Sequence, residues 1–155
     1  MMKALPNALL VLLLGFSQLA VSGVQIDADA NGVALQGHDP VAYFTEGKPV
    51  AGQADYAVEH NGASYRFASA ENRDLFVSDP DKYAPQYGGY CAFGTTFNMK
   101  VPGDPTAFKV VDDKLYINSN PDILSRWSQD IPGNIGKANS AWPEIVDKSP
   151  EELKK

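Results

Sequence analysis

The sequence predicts an α+β fold: a small single domain of antiparallel β-hairpins with short helices packed on them. Three observations carry that expectation. The stretch "DYAVEHNGASYRFA" sets Asn61-Gly62 between two alternating runs, and this dipeptide favours the positive φ angles of a two-residue type I′ turn. "AFKVVDDKLYIN" repeats the layout around Asp112-Asp113. Ser69, Asp79 and Asn120 each stand where a helix can be capped, and proline follows the last two at the first helical position.

The chain begins like an export signal. Met1-Met2-Lys3 is a short basic start, Ala8 to Phe16 is an apolar run, and Ala20-Val21-Ser22 supplies small residues for a peptidase. The run falls short of the roughly 20 residues a membrane span needs. Residues 1–22 therefore read as a signal peptide. Cleavage after Ser22 predicts a periplasmic or secreted protein with no membrane segment. Residues 23–32 are short and polar, and are expected to be flexible. The domain proper is expected over 33–146, with a charged, frayed tail over 147–155.

Within the domain, Val33 to Leu35 reads as a brief strand and Gly37-His38-Asp39-Pro40 as a turn, since proline biases the residue before it away from helix. Val41 to Thr45 is apolar and aromatic and reads as extended; Lys48 to Ala54 reads as a surface loop. Counting out from Asn61-Gly62 pairs His60 with Ala63, Val58 with Tyr65 and Tyr56 with Phe67 on one core-facing side. Ser69 caps a helix of about Ala70 to Ser78, with Leu75 and Phe76 facing inward. Asp79-Pro80 starts a short helical turn through Tyr83. Gly88-Gly89 permits backbone shapes barred to other residues. The second hairpin contributes Phe108, Val110, Leu115 and Ile117. Asn120 then caps a helix to about Gln129 with an apolar stripe of Ile123, Leu124 and Trp127. Pro132, Gly133 and Pro143 break up the next segment, leaving a short helix over Asn134 to Ala141.

Composition narrows the function. The chain has 13 Lys+Arg against 19 Asp+Glu, a net charge of −6. Loss of Lys3 with the signal makes this −7. There is no basic stripe, so binding to nucleic acid through phosphates is not expected. One cysteine, Cys91, cannot close an internal disulfide in an oxidising compartment. It must be buried, metal-bound, reactive or paired with another chain.

The pieces "DPVAYFTEGKPV" and "HNGASYRFASAENRDLFVSDPDKYAP", with their spacing, resemble the YHS domain family. "YGGYCA", the second hairpin and the Trp-containing end "RWSQDIPGNIGKANSAWP" resemble its exported single-domain branch. The resemblance implies an α+β fold and a binding module, in some members for heavy metals, in others attached to metal enzymes or transporters. Metal-binding members carry cysteine after "DPV" and after "YYF"; here those places are Ala42 and Ala68, so that site does not carry over. His38 stands where relatives of this branch often have tyrosine.

Three readings of the chemistry follow. The first is binding of copper or another soft metal, centred on Cys91 with His38 as partner and Asp39 orienting it or accepting a proton; thiolate, imidazole and the Met99 thioether suit copper. The second is a thiol-dependent enzyme, Cys91 attacking with His38 or His60 as base. The third is a structural or partner-binding module, in which the aromatics Tyr83, Tyr87, Tyr90, Phe93 and Phe97 form core or line a small pocket. Plainer readings stand beside each: His60 as a strand-end residue, His38 bonded to its own turn, Met99 as packing, Cys91 as a small buried apolar group. Taken together, the residues point to an exported, non-enzymatic YHS-type module taking a metal ion or a small ligand.

Overall fold

The computed structural model describes residues 24–155. The expected signal peptide lies outside them. The fold is α+β, with two separate two-stranded antiparallel sheets and short helices packed against them. In chain order the elements are α1 (Ala42–Thr45), β1 (Gln53–His60), β2 (Ala63–Phe67), α2 (Ala70–Ser78), α3 (Pro80–Tyr83), α4 (Ala92–Thr95), β3 (Asp104–Val111), β4 (Lys114–Asn118), α5 (Pro121–Trp127) and α6 (Ile131–Ile145).

The first hairpin turns on Asn61 and Gly62, at φ of +49° and +82°. His60 opposes Ala63 and Val58 opposes Tyr65, as the sequence predicts. The third expected pair does not form. The register slips between Gln53 and Ala57, so Phe67 opposes Gln53 and Tyr56 is displaced. A bulge of this kind adds residues to one strand and bends it. Ala63, Tyr65 and Phe67 are buried, and the opposite face stays wetter.

Five further expectations are corrected. Residues 42–45 form a helical turn rather than an extended stretch, because the Asp39 carboxylate takes the N–H groups of Val41 and Ala42 and starts a turn there. Val33 to Leu35 makes only single bridges, to Ser64 and Ala28, before Leu35 and Gln36 enter left-handed backbone. In α2 only Phe76 is buried; Leu75, one step around the helix, is exposed. Residues 131–145 form one continuous helix. Pro132 sits in its first turn, where a missing N–H costs nothing, and Asp130 caps Gly133 N at 3.1 Å. Residues 24–32, read as flexible, are bound down: Ile26 is buried, Asp27 N–H donates to Gly88 O at 2.8 Å, and Gly103 N–H donates to the Asp27 carboxylate at 2.7 Å. Gly88 lies at φ +63°, and a Cβ there would collide with the Gln25 carbonyl, so only glycine admits this strap.

Two apolar cores result. The first gathers Val41, Tyr43, Tyr65, Phe67, Phe76 and Tyr83 with Leu115 and Ile117. The second gathers Tyr87, Ala92, Tyr116, Trp127 and Ala138. Strand β4 divides them, sending alternate side chains to opposite sides, as a period of two requires. Each large, fully buried side chain contributes roughly 1.5–3 kcal/mol over leaving it in water. Tyr43 ties the halves together: its hydroxyl donates to Pro105 O at 2.7 Å and its ring meets Phe108 edge-on.

The two ends of the described chain meet at Lys100, which is 4% exposed. Its ammonium donates to the carbonyl oxygens of Val24, Val146 and Lys148, one acceptor for each proton. It also lies over the rings of Tyr90 and Trp142, at 5.4 and 5.2 Å. Burial lowers its pKa to about 8, while Asp147 and Glu152 pull the other way. The tail expected to fray is thus held, and it ends in a helical turn, Glu152–Lys154, fastened by reciprocal bonds between Ser149 and Glu152.

Candidate functional site

The turn before α1 buries Asp39 completely. Its Oδ1 accepts the N–H groups of Val41 at 2.8 Å and Ala42 at 3.3 Å. Its Oδ2 accepts Ala68 N–H and the Asn72 amide, both at 2.8 Å. One carboxylate thereby joins the turn, the end of β2 and helix α2. All four donors are neutral, and four contacts fill the usual capacity of the group. Asp39 is a structural joint, with both of its oxygens engaged by the fold. The same bonds bring Ala42 and Ala68 to opposite oxygens of one side chain. These are the positions where cysteines would be needed for the family's metal site, and alanine offers a metal nothing.

His38 is held by its own turn. Its Nδ1 lies 3.0 Å from Leu35 O; a carbonyl only accepts, so Nδ1 carries the proton. Its backbone bridges Ala51. His60 sits at the hairpin end, its Nε2 3.2 Å from the Asn61 amide nitrogen and its ring edge-on to Phe76 at 5.6 Å.

Cys91 precedes α4 and is 1% exposed. Its N–H donates to Val101 O, its carbonyl accepts Thr95 N–H, and its sulfur accepts Gly94 N–H at 3.4 Å, which caps the short helix. The thiol points its proton at Asn118 Oδ1, 3.6 Å away. That same oxygen accepts Phe93 N–H at 3.1 Å, which fixes the amide's orientation and leaves the Asn118 Nδ2 buried without a partner among the described residues. The niche is closed and the thiol's neighbours are an amide and backbone, not an imidazole.

The expected set of Cys91, His38 and Asp39 is therefore not brought together. Among the described residues no group of three or more His, Cys, Asp or Glu side chains could hold a metal ion. Met99 is partly exposed on a loop beside Lys100. The nucleophile-and-base arrangement is not formed either, since each ring nitrogen that makes a bond makes it elsewhere.

A pocket of about 370 Å³ opens where the first hairpin's tip, the strap, the turn after α3 and helix α6 converge. Gln25, His60, Asn61, Asp81 and Gln86 bring polar groups to it. Tyr87 and Trp142, with ring centres 6.0 Å apart, bring aromatic surface. Tyr87 is set by φ +56° and by its hydroxyl bond to Asn139 at 2.9 Å. Of these residues only His60 and Tyr87 were candidates from sequence, and neither for this place. Asn118 also went unmarked: it is simply the last residue of the second hairpin. The one available signal was the aromatic density around Tyr87.

A smaller hollow of about 160 Å³ lies between the left-handed turn at Leu35-Gln36 and Gly89, against Asp27, Asp29 and Gly103. Burial raises the Asp27 carboxyl, and the Gly103 N–H partly offsets it.

No curated protein and no solved structure matches the chain. The YHS domain family model matches residues 41–87. That span runs from α1 through both strands of the first hairpin to Tyr87. His38 and Asp39 lie just before it and Cys91 just after, so the match assigns a role to none of the three. Over residues 41–87 the chain is similar to the YHS domain family.

Proposed function

We propose that this chain is an exported, non-enzymatic YHS-type binding module whose binding face is the 370 Å³ pocket at the hairpin tip. The observation that carries the reading is the convergence there of five polar side chains and two aromatic rings from four separate segments. Its size falls within the range of small-ligand pockets, roughly 300–1,000 Å³. Export is supported by the basic, apolar, small order of residues 1–22. A soft metal has less to hold it: Ala42 and Ala68 carry no donor, the Asp39 oxygens are taken, and the Cys91 thiol is shut in against Asn118. No step is derived through a metal.

The test has two parts. Expression with the native leader, followed by fractionation and N-terminal sequencing, is expected to give a mature protein starting at Gly23 outside the cytoplasm. The same untagged material, analysed for metals and screened by NMR with a small-molecule fragment set, is expected to hold copper far below one ion per chain and to show fragments that shift the Trp142 indole signal. Stoichiometric copper lost in Cys91→Ser, or a pocket that no fragment perturbs, overturns the reading.

A further inference from the structure

The pocket's chemistry points to a class of ligand, an inference that rests on the binding reading above. We propose that it takes a neutral, hydroxyl-rich ring of the size of one sugar unit. Three of its polar groups are carboxamides, from Gln25, Asn61 and Gln86, each on a different segment. A carboxamide both donates and accepts, and so does a hydroxyl; a wall of such groups matches a ring of alternating O–H donors and acceptors. His60 and Asp81 add one imidazole and one acceptor. Two of the groups are already steadied: the Gln25 amide donates to Asp147 at 2.7 Å, leaving its oxygen to accept, and Asn61 is paired with His60. The half-buried Trp142, backed by the buried Tyr87, supplies the apolar surface on which the C–H face of a sugar ring can lie.

Charge argues against the alternatives. Among the described residues no Lys or Arg lines the pocket, the chain is acidic, and the buried Lys100 gives its protons to three carbonyls, so an anion such as phosphate finds no free cationic donor there. A quaternary ammonium would want the Trp142 ring, but the Lys100 ammonium already sits 5.2 Å from that ring's centre. A second cation on the same indole meets like charge. A neutral ligand meets neither objection.

The two tryptophans give the experiment its control. Trp127 is fully buried in the second core, whereas Trp142 lines the pocket. Untagged mature protein is titrated with glucose, galactose, maltose, glycine betaine and inorganic phosphate while both indole N–H signals are followed by NMR. The expected result is a saturable shift of Trp142, with Trp127 unmoved, for at least one neutral sugar, in the millimolar range or tighter. Gln86→Ala and Asp81→Ala are each expected to weaken that binding about tenfold, the loss of one good hydrogen bond. An unchanged Trp127 signal shows that the variant is folded. Saturable binding of betaine or phosphate in place of sugar overturns the ligand class and leaves a binding pocket. Fragments that shift Trp142 when no sugar does likewise overturn the ligand class alone. No shift from sugar, ion or fragment overturns both this inference and the binding reading.

Discussion

Hairpin β1–β2 turns on Asn61-Gly62 at φ +49° and +82°, and hairpin β3–β4 turns on Asp112-Asp113 at +49° and +58°. Both carry a register slip near their open end, between Gln53 and Ala57 in one and Asp104 and Phe108 in the other. Their surroundings differ. In β2 the residues alternate between buried and half-buried, so one face packs and the other stays wet. In β4 every residue from Leu115 to Asn118 is buried, because α4 and α5 cover the second face. The polar anchors differ in the same way. Asp39, behind the first hairpin, has both oxygens satisfied; Asn118, at the end of the second, has a satisfied oxygen and a stranded nitrogen. Similar local chemistry thus makes a surface hairpin in one place and an internal partition in the other. Among the described residues, buried polar atoms go unmatched beside both: the Tyr65 hydroxyl in the first hairpin, and Asn118 Nδ2 and Trp127 Nε1 around the second.

The contrast can be broken most severely at Asp39. Replacing it with alanine strands three backbone N–H groups and the Asn72 amide, and is expected to cost about 3–5 kcal/mol. Urea denaturation measures it, and a loss below about 1 kcal/mol would show the network to be decorative. At the other anchor the effect is smaller. Cys91→Ala removes two weak sulfur bonds and is expected to cost about 1 kcal/mol. Iodoacetamide should label the thiol only under denaturing conditions; rapid labelling of the native protein would show that the closed niche is wrong.

Tyr65→Phe should have the smallest effect and the opposite sign. The Tyr65 hydroxyl is buried without a partner, so its removal is expected to leave stability unchanged or raise it by up to about 1 kcal/mol. The alkaline limb sharpens this. Burial raises the Tyr65 phenol above its ordinary value of 10, and does the same to Tyr43 and Tyr87, with Tyr90 reaching about 12. Below pH 10 both folded and unfolded phenols are protonated and their contribution is complete. Above it the unfolded chain ionises first, so stability falls as pH rises toward the folded values. Tyr65→Phe should make that fall shallower in denaturation curves taken between about pH 9 and 11; a steeper fall would reverse the assignment.

The hairpins were legible because turn residues and alternation are local signals. Ser69, Asp79 and Asn120 announced their helices for the same reason, and each cap bond forms. The bulges were not legible, since nothing within β1 marks where the strand must bend to let Tyr56 step out of line. Helix α6 was hidden by its prolines, which local rules count as breakers; Pro132 falls in the harmless first turn, and the contacts of Ala138, Ala141 and Ile145 carry the helix through the loss at Pro143. Of the site residues, the burial of Cys91 was legible only as one of the four states its lone thiol allowed. Its partner was not, because the approach of Asn118 to Cys91 is a contact across 27 positions with no sequence pattern behind it.

One consequence of the Lys100 cluster concerns the order of assembly. Its three acceptors come from residues 24, 146 and 148, at opposite extremes of the described chain. A polypeptide emerging from its front end has the first acceptor early and gains the other two only 46 and 48 residues after Lys100 itself. Until then the ammonium keeps its water and the strap at the front has no bolt. A chain cut before Val146 should therefore show its damage at the far end, with the Asp27 amide, bonded to Gly88 O in the intact fold, exchanging its proton as if unfolded.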